Sequence, residues 1–266
     1  MTKIVALGDS ITKGVALSTE NGYSVLEDNF INIVAREGNL EIENFGKFGC
    51  TVTFGHILAD RHAEAIAAAN YTLLEFGGND CDFNWKRIAL NPLDNHRPKT
   101  TLEEFTASFE SLIGKVRALG STPIILSLPP IDSQPYFNHF SRTMSTEQKQ
   151  SIIDWMDGDV EAIRRWHEDY NLALWKLATR TKTEIVNISS AFECANHLTP
   201  DLLCLDGIHP NQAGHREIAK SILGSQAFAK ISVTPAIRTN DNKTSVPTRL
   251  NNNSQLSSQR CQNATL

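Results

Sequence analysis

Short, mainly apolar runs alternate along this chain with longer stretches in which apolar residues return every three or four positions. The first run, Ile4, Val5, Ala6 and Leu7, is closed by Gly8. Four consecutive apolar residues ending at glycine read as a strand buried on both faces of a parallel sheet. Mainly apolar stretches, each interrupted by one or two polar residues, occupy 71–76, 123–128 and 184–188 and read as further strands, and Ile42 lies in a short second strand. Between them the helical period predicts a helix through Tyr23, Leu26, Phe30, Ile33 and Val34, stopped by Gly38. A second runs through Ile57, Leu58 and His62 to Ala69, and a third over 102–119 carries Phe105, Phe109, Leu112, Ile113 and Val116 as its core face. Ser145 with Gln148 is a capping-box pattern. It opens a helical region to about Thr179, broken near Asp157 and Gly158, in which Trp166, Leu172 and Trp175 read as core and His167 as structural. Gln212 to about Ala229 reads as the closing helix.

Two stretches interrupt this rhythm. Residues 79–100 carry Phe83, Trp85, Pro92 and Pro98, and residues 131–145 carry Tyr136, Phe137, His139 and Phe140. Irregular segments of this length inside a compact domain are more often functional than idle. Their aromatic residues, with Trp155, fit either stacking on a sugar, lining an acyl slot, or a satellite core.

Five strands separated by helices predict one α/β domain over residues 1–231, with a parallel sheet between helical layers. From residue 232 serine, threonine, asparagine and glutamine dominate and no aromatic residue occurs. A segment of that composition buries too little apolar surface to offset its ordering, so 232–266 is expected to be a disordered tail. The net charge of -5 argues against nucleic acid as the main partner. No apolar run is long enough for a membrane span, and Met1 leads almost directly into the first strand, without room for a signal peptide. Five cysteines without CxxC pairing indicate neither a disulfide framework nor a zinc site. The expectation is a cytoplasmic protein without a metal or other cofactor, its oligomeric state left open.

The chemistry starts where the first strand ends. Gly8 and Asp9 suit a sharp turn, and Ser10 then falls where a helical turn begins, at the carboxyl edge of the sheet, where open α/β folds bind their ligands. Taken alone, Gly8-Asp9-Ser10 is simply a strand-to-helix turn with a capping serine. Three further blocks change that: Asn44-Phe45-Gly46-Lys47-Phe48-Gly49-Cys50-Thr51, then Gly77-Gly78-Asn79-Asp80, and finally Asp206-Gly207-Ile208-His209-Pro210. In this order the four blocks resemble the SGNH hydrolases, also called GDSL-type esterases, over about residues 3–230. The chain departs from that pattern at Ile11, where the family name has leucine, and at Cys50, where an aspartate is common.

The resemblance implies a three-layer α/β/α sandwich with a five-stranded parallel sheet in the flavodoxin-like order 2-1-3-4-5. It implies Ser10 as nucleophile, His209 as general base and later acid, and Asp206 as the carboxylate that orients the imidazole. The oxyanion hole it implies consists of the backbone N–H groups of Ser10 and Gly49 and the side-chain amide of Asn79. Asp9 and Asp80 read as carboxylates that stiffen their own turns, and Gly46 as a turn glycine. The expected function is a serine esterase cleaving carboxylic esters, with short acyl groups such as acetyl on a carbohydrate as the substrate type. Two other readings stay open at this point. One is a metal-dependent phosphoesterase using Asp9, Asn79, Asp80, Asp206, His209 and His215. The other is a non-catalytic carbohydrate-binding protein on the same scaffold.

Overall fold

In the computed structural model, which describes residues 1–18, 22–194, 197–198 and 200–233, the chain begins with β1 (Lys3–Gly8), α1 (Ser10–Lys13) and a hairpin of β2 (Val15–Ser18) with β3 (Gly22–Val25). It continues through α2 (Phe30–Glu37), β4 (Glu41–Asn44), α3 (Val52–Arg61), α4 (Ala63–Ala68) and β5 (Tyr71–Glu75). Then follow α5 (Trp85–Leu90), α6 (Leu102–Ala118), β6 (Thr122–Leu126), α7 (Ser133–Phe140), α8 (Thr146–Trp155) and α9 (Ala162–Thr181). The main sheet closes with β7 (Glu184–Val186), and α10 (Gln212–Leu223) and α11 (Gln226–Val233) end the described chain.

Successive side chains of a strand point to opposite faces, and β1 shows what that requires of its sequence. Ile4 and Ala6 belong to a core under α2, α10 and α11, whereas Val5 and Leu7 belong to a second core under α3, α6 and α9. Leu73 and Leu74 of β5, and Ile124 and Ile125 of β6, divide between the two faces in the same way. A strand with both faces buried cannot alternate apolar and polar residues, which is why β1 appears as an unbroken run. The sheet is parallel throughout, in the order β4-β1-β5-β6-β7. Counting only its five strands this is 2-1-3-4-5, so the ends of β4, β1 and β5 lie side by side at the switch point.

Several expectations need correction. Tyr23 is not on a helix: it lies on β3, whose residues are all exposed, and α2 starts only at Phe30, where Asn29 accepts the N–H of Asn32 at 3.1 Å. The spacing of Tyr23 and Leu26 matched a helical period by accident, while the capping asparagine marked the true start. Residues 79–100 hold α5 and residues 131–145 hold α7, each two turns or so long, too short for periodicity to show. Leu172 and Trp175 are exposed, at 51% and 37%, because the buried stripe of α9 runs instead through Ile163, His167, Tyr170, Leu174 and Leu177. The closing helix is interrupted at Gly224, and α11 extends to Val233, two residues past the expected start of the tail. The chain divides into compact units Met1–Ala236 and Ile237–Leu266. The second, with the rest of the expected tail, lies outside the described residues.

A third apolar cluster, apart from the two sheet faces, joins Trp85, Ile88, Ile131, Phe137, Ile152 and Ile163 from α5, α7, α8 and the start of α9. Among the described residues no helix is long and apolar enough to cross a membrane.

Candidate active site

The turn after β1 is fixed by packing as much as by backbone freedom. A Cβ on Gly8 would sit 2.0 Å from Thr12 Oγ1 and 2.7 Å from the Glu75 carbonyl, so no larger residue fits there. Asp9 caps α1 by accepting the Ile11 N–H on Oδ1 at 2.8 Å, and Ser10 becomes the first helical residue, 6% exposed, its own N–H in the unpartnered first turn.

From the other end of the chain, the loop before α10 brings up His209. Its Nε2 lies 3.0 Å from Ser10 Oγ across 199 residues of sequence, and its Nδ1 lies 2.7 Å from Asp206 Oδ2. The other Asp206 oxygen accepts the backbone N–H groups of Ile208 at 3.2 Å and His209 at 3.1 Å. Burial pushes the Asp206 carboxyl up, but the bonds from the His209 ring and from the two backbone N–H groups outweigh it and leave the carboxyl below its ordinary value. An ionised carboxylate can only accept. The proton of the neutral imidazole therefore sits on Nδ1, and Nε2 presents its lone pair to the Ser10 hydroxyl.

Asn79 follows β5, and its Nδ2 donates to Asp9 Oδ2 at 2.9 Å. An amide nitrogen has two hydrogens, and Asp9 occupies one of them. Gly49 has φ of +71°, a conformation that favours glycine, and a Cβ there would meet nothing within 4 Å, because the residue faces open space. Ser10, Gly49, Asn79 and His209 all line one cavity of about 290 Å³. The geometry thus brings together five of the residues singled out in the sequence: these four around the cavity and Asp206 behind His209.

Asp80 does not act within its own turn. Both its oxygens lie 3.1 Å from the Val52 N–H, tying the loop after β5 to the start of α3 and so to the loop that carries Gly49. Burial raises this carboxyl to about 6 against the opposing hydrogen bonds from Thr100 and Val52. Asp9 has a partner that the sequence reading passed over. Glu75, 1% exposed at the end of β5, accepts the Thr12 hydroxyl at 2.8 Å and lies against Asp9. Burial holds both carboxyls above their ordinary range, and for Asp9 the neighbouring Glu75 charge adds to the effect. A carboxylate at the end of an otherwise apolar strand was the clue to it.

His209 is sheltered by aromatic rings. Tyr23 meets it edge-on with centroids 5.2 Å apart, Phe48 stacks at 5.9 Å, and the Tyr23 hydroxyl is 2.9 Å from Nε2 of His139 on α7. The hairpin residue misplaced on a helix is thus part of the site. Phe83, Trp85 and Tyr136 line the cavity as the aromatic reading allowed; Phe137 and Trp155 pack in the third cluster instead. Trp166 and His167, read as core and structural, line it too.

Of the residues considered as a metal-binding set, Asp9 and Asn79 bond to each other, as do Asp206 and His209. Asp80 is engaged by Val52, and His215 packs on Phe30 at 5.8 Å, outside the cavity. Among the described residues no group of three or more His, Cys, Asp or Glu side chains is arranged to hold a metal.

A parallel sandwich with a serine, an imidazole and a carboxylate in hydrogen-bonded series at its switch point is an arrangement suited to nucleophilic chemistry on an acyl group. Residues 6–217 match the GDSL-like Lipase/Acylhydrolase family, and the chain belongs to it. Solved structures share the fold. A lipase/acylhydrolase from Enterococcus faecalis, 18% identical, covers 87% of this chain and 96% of its own with a TM-score of 0.59. Axe2, an acetylxylan esterase from Geobacillus stearothermophilus, is 20% identical, with 90% and 97% covered and a TM-score of 0.55. LAE5, an alpha/beta hydrolase enzyme from the metagenome of Lake Arreo, is 23% identical, with 88% and 97% covered and a TM-score of 0.56. No curated protein sequence matches the chain.

Proposed function

We propose that this protein is a serine esterase that hydrolyses carboxylic esters through Ser10, His209 and Asp206. The observation that carries the proposal is the unbroken series Ser10 Oγ, His209 Nε2, His209 Nδ1, Asp206 Oδ2, with separations of 3.0 and 2.7 Å. As Ser10 Oγ attacks the ester carbonyl carbon, its proton passes to His209 Nε2, and the imidazolium is stabilised by the Asp206 carboxylate. The carbonyl oxygen becomes an oxyanion held by the N–H groups of Ser10 and Gly49 and by the Asn79 amide hydrogen that Asp9 leaves free. Collapse breaks the carbon–oxygen bond, His209 returns the proton to the departing alkoxide, and an acyl-Ser10 remains. Water then repeats the sequence on the acyl group, with His209 again as base, releasing the acid and restoring the hydroxyl.

Short acyl groups suit a cavity of about 290 Å³. Its aromatic walls, and a fold neighbour named as an acetylxylan esterase, make O-acetylated carbohydrates the substrates to test first. Ser10→Ala should abolish hydrolysis of a short-chain aryl ester with the far-ultraviolet spectrum unchanged; the loss expected for a removed nucleophile is at least about 10³-fold. Turnover close to that of the wild type would refute the assignment.

A further inference from the structure

The buried stripe of α9 contains two polar residues, His167 and Tyr170. The Tyr170 hydroxyl donates to the Thr100 carbonyl. His167 is only 3% exposed, yet no hydrogen bond or charged neighbour acts on its ring, and burial alone lowers its pKa to about 4. It is therefore a neutral imidazole at any pH where the enzyme would work. Its ring nitrogens are nevertheless not sealed off, since the fully buried side-chain polar atoms without a partner among the described residues are Ser141 Oγ and His215 Nε2.

The ring borders the same cavity as Ser10. The other polar side chains of that wall are engaged with one another. Asp82 accepts from Trp85 Nε1, from the Tyr136 hydroxyl and from Lys99 Nζ, each at 2.8 Å. His167 shares the cavity lining with Ile163 and Trp166 of α9 and with Phe83, whose ring centroid lies 5.0 Å from that of Trp166. A wall of ring faces with one open, neutral hydrogen-bonding group fixes the orientation of an amphipathic ring, one that is apolar on its face and hydroxylated on its edge.

We infer that His167 is a substrate-recognising residue, whose imidazole hydrogen-bonds a hydroxyl on the part of the ester substrate lodged against Phe83 and Trp166. The inference rests on the esterase reading and adds to it the residue that separates a hydroxylated ester from a plain one. A hydroxyl can donate to one ring nitrogen or accept from the other, so either neutral tautomer serves. No proton is transferred at this position, and the chemistry at Ser10 does not pass through it.

Two substrates decide the matter: an aryl acetate, which has no hydroxyl, and a mono-O-acetylated methyl pyranoside. In His167→Leu, kcat/KM for the aryl acetate should stay within about threefold of the wild type, while that for the pyranoside falls about 10- to 100-fold, chiefly through KM, as expected for one lost hydrogen bond in a closed site. His167→Gln, which keeps a donor and an acceptor, should recover part of the loss, and it carries the test if the leucine variant does not fold. In a Ser10→Ala background, where the ester survives, pyranoside binding read by tryptophan fluorescence should weaken by the same factor on His167→Leu. Parallel loss on both esters, no loss on either, or a wild type that cleaves only the aryl acetate would overturn the inference. Failure of the esterase reading looks different: the wild type would cleave neither ester, or Ser10→Ala would match it, and the inference would fall with that reading.

Discussion

At the floor of the cavity, polar groups reach across the chain to hold one another: Asn79 bonds to Asp9 from 70 residues away, and Asp80 to Val52 from 28. Along the far wall the contacts are between rings. Phe83, Trp85 and Trp166 have centroids 5.0–6.5 Å apart, and Phe83 meets Trp155 at 5.2 Å. The floor sits on the ends of β1 and β5, in the middle of the sheet, where buried carboxylates leave little freedom for a shift. The wall is built by the loop carrying Phe83 and by α5, α7 and α9, which with α8 form a cluster separate from both faces of the sheet. The contrast suggests a division of labour, with the reacting groups set by directional bonds at the sheet edge and the fit to the remainder of the substrate set by non-directional packing outside it.

The largest effects that could break this division lie on the floor. Asn79→Ala should lower kcat by about 10²-fold with little change in KM, the usual loss for one oxyanion donor. Asp9→Asn should approach the same loss. Its side chain can keep one oxygen for Ile11, but it then presents an N–H to the Asn79 amide, which must turn away. Because both changes act through one group, adding Asp9→Asn to Asn79→Ala should cost little more; fully additive losses would show that Asp9 works by another route. On the wall, Phe83→Ala should raise KM for a pyranoside ester by about three- to tenfold and leave kcat for an aryl acetate nearly unchanged. A fall in kcat for both would mean that wall and floor are mechanically one.

The smallest effect sharpens the electrostatics of the floor. The folded-state pKa of Asp80 is raised to about 6 from an ordinary 3.8, so the folded protein binds its proton more tightly than the unfolded chain does. Its contribution to stability is complete below about pH 4 and is lost as pH rises through about 6. Asp80→Asn, which keeps an acceptor for Val52, should flatten the dependence of Tm on pH between about 4 and 6. An unchanged slope would mean that the carboxyl is ionised throughout that range.

Much of this was legible in the residues. The four blocks that carry Ser10, Gly49, Asn79, Asp206 and His209 are local in sequence, since each turn and its chemistry lie within a few positions, and the mainly apolar stretches marked the strands of the sheet, with Ile42 alone marking the edge strand β4. The missing parts share one cause. Glu75, Tyr23, His139 and His167 matter through neighbours between 63 and 186 residues distant or through the cavity they border, and nothing within a few positions of them reveals it. The two short helices α5 and α7 escaped for a related reason, because one or two turns hold too few apolar residues to establish a period and their burial comes from each other.

The sequence by itself determined the strand stretches, the turn chemistry after them and which candidate groups stand in those turns, because these depend on propensity, backbone freedom and local hydrogen bonding. Only the tertiary structure decided that Ser10 and His209 lie 3.0 Å apart, that one amide hydrogen of Asn79 is taken by Asp9, and that His167 borders a cavity while Leu172 and Trp175 face outward. Those outcomes follow from how the sheet order and the two apolar faces bring distant segments together, and a linear pattern does not contain that order.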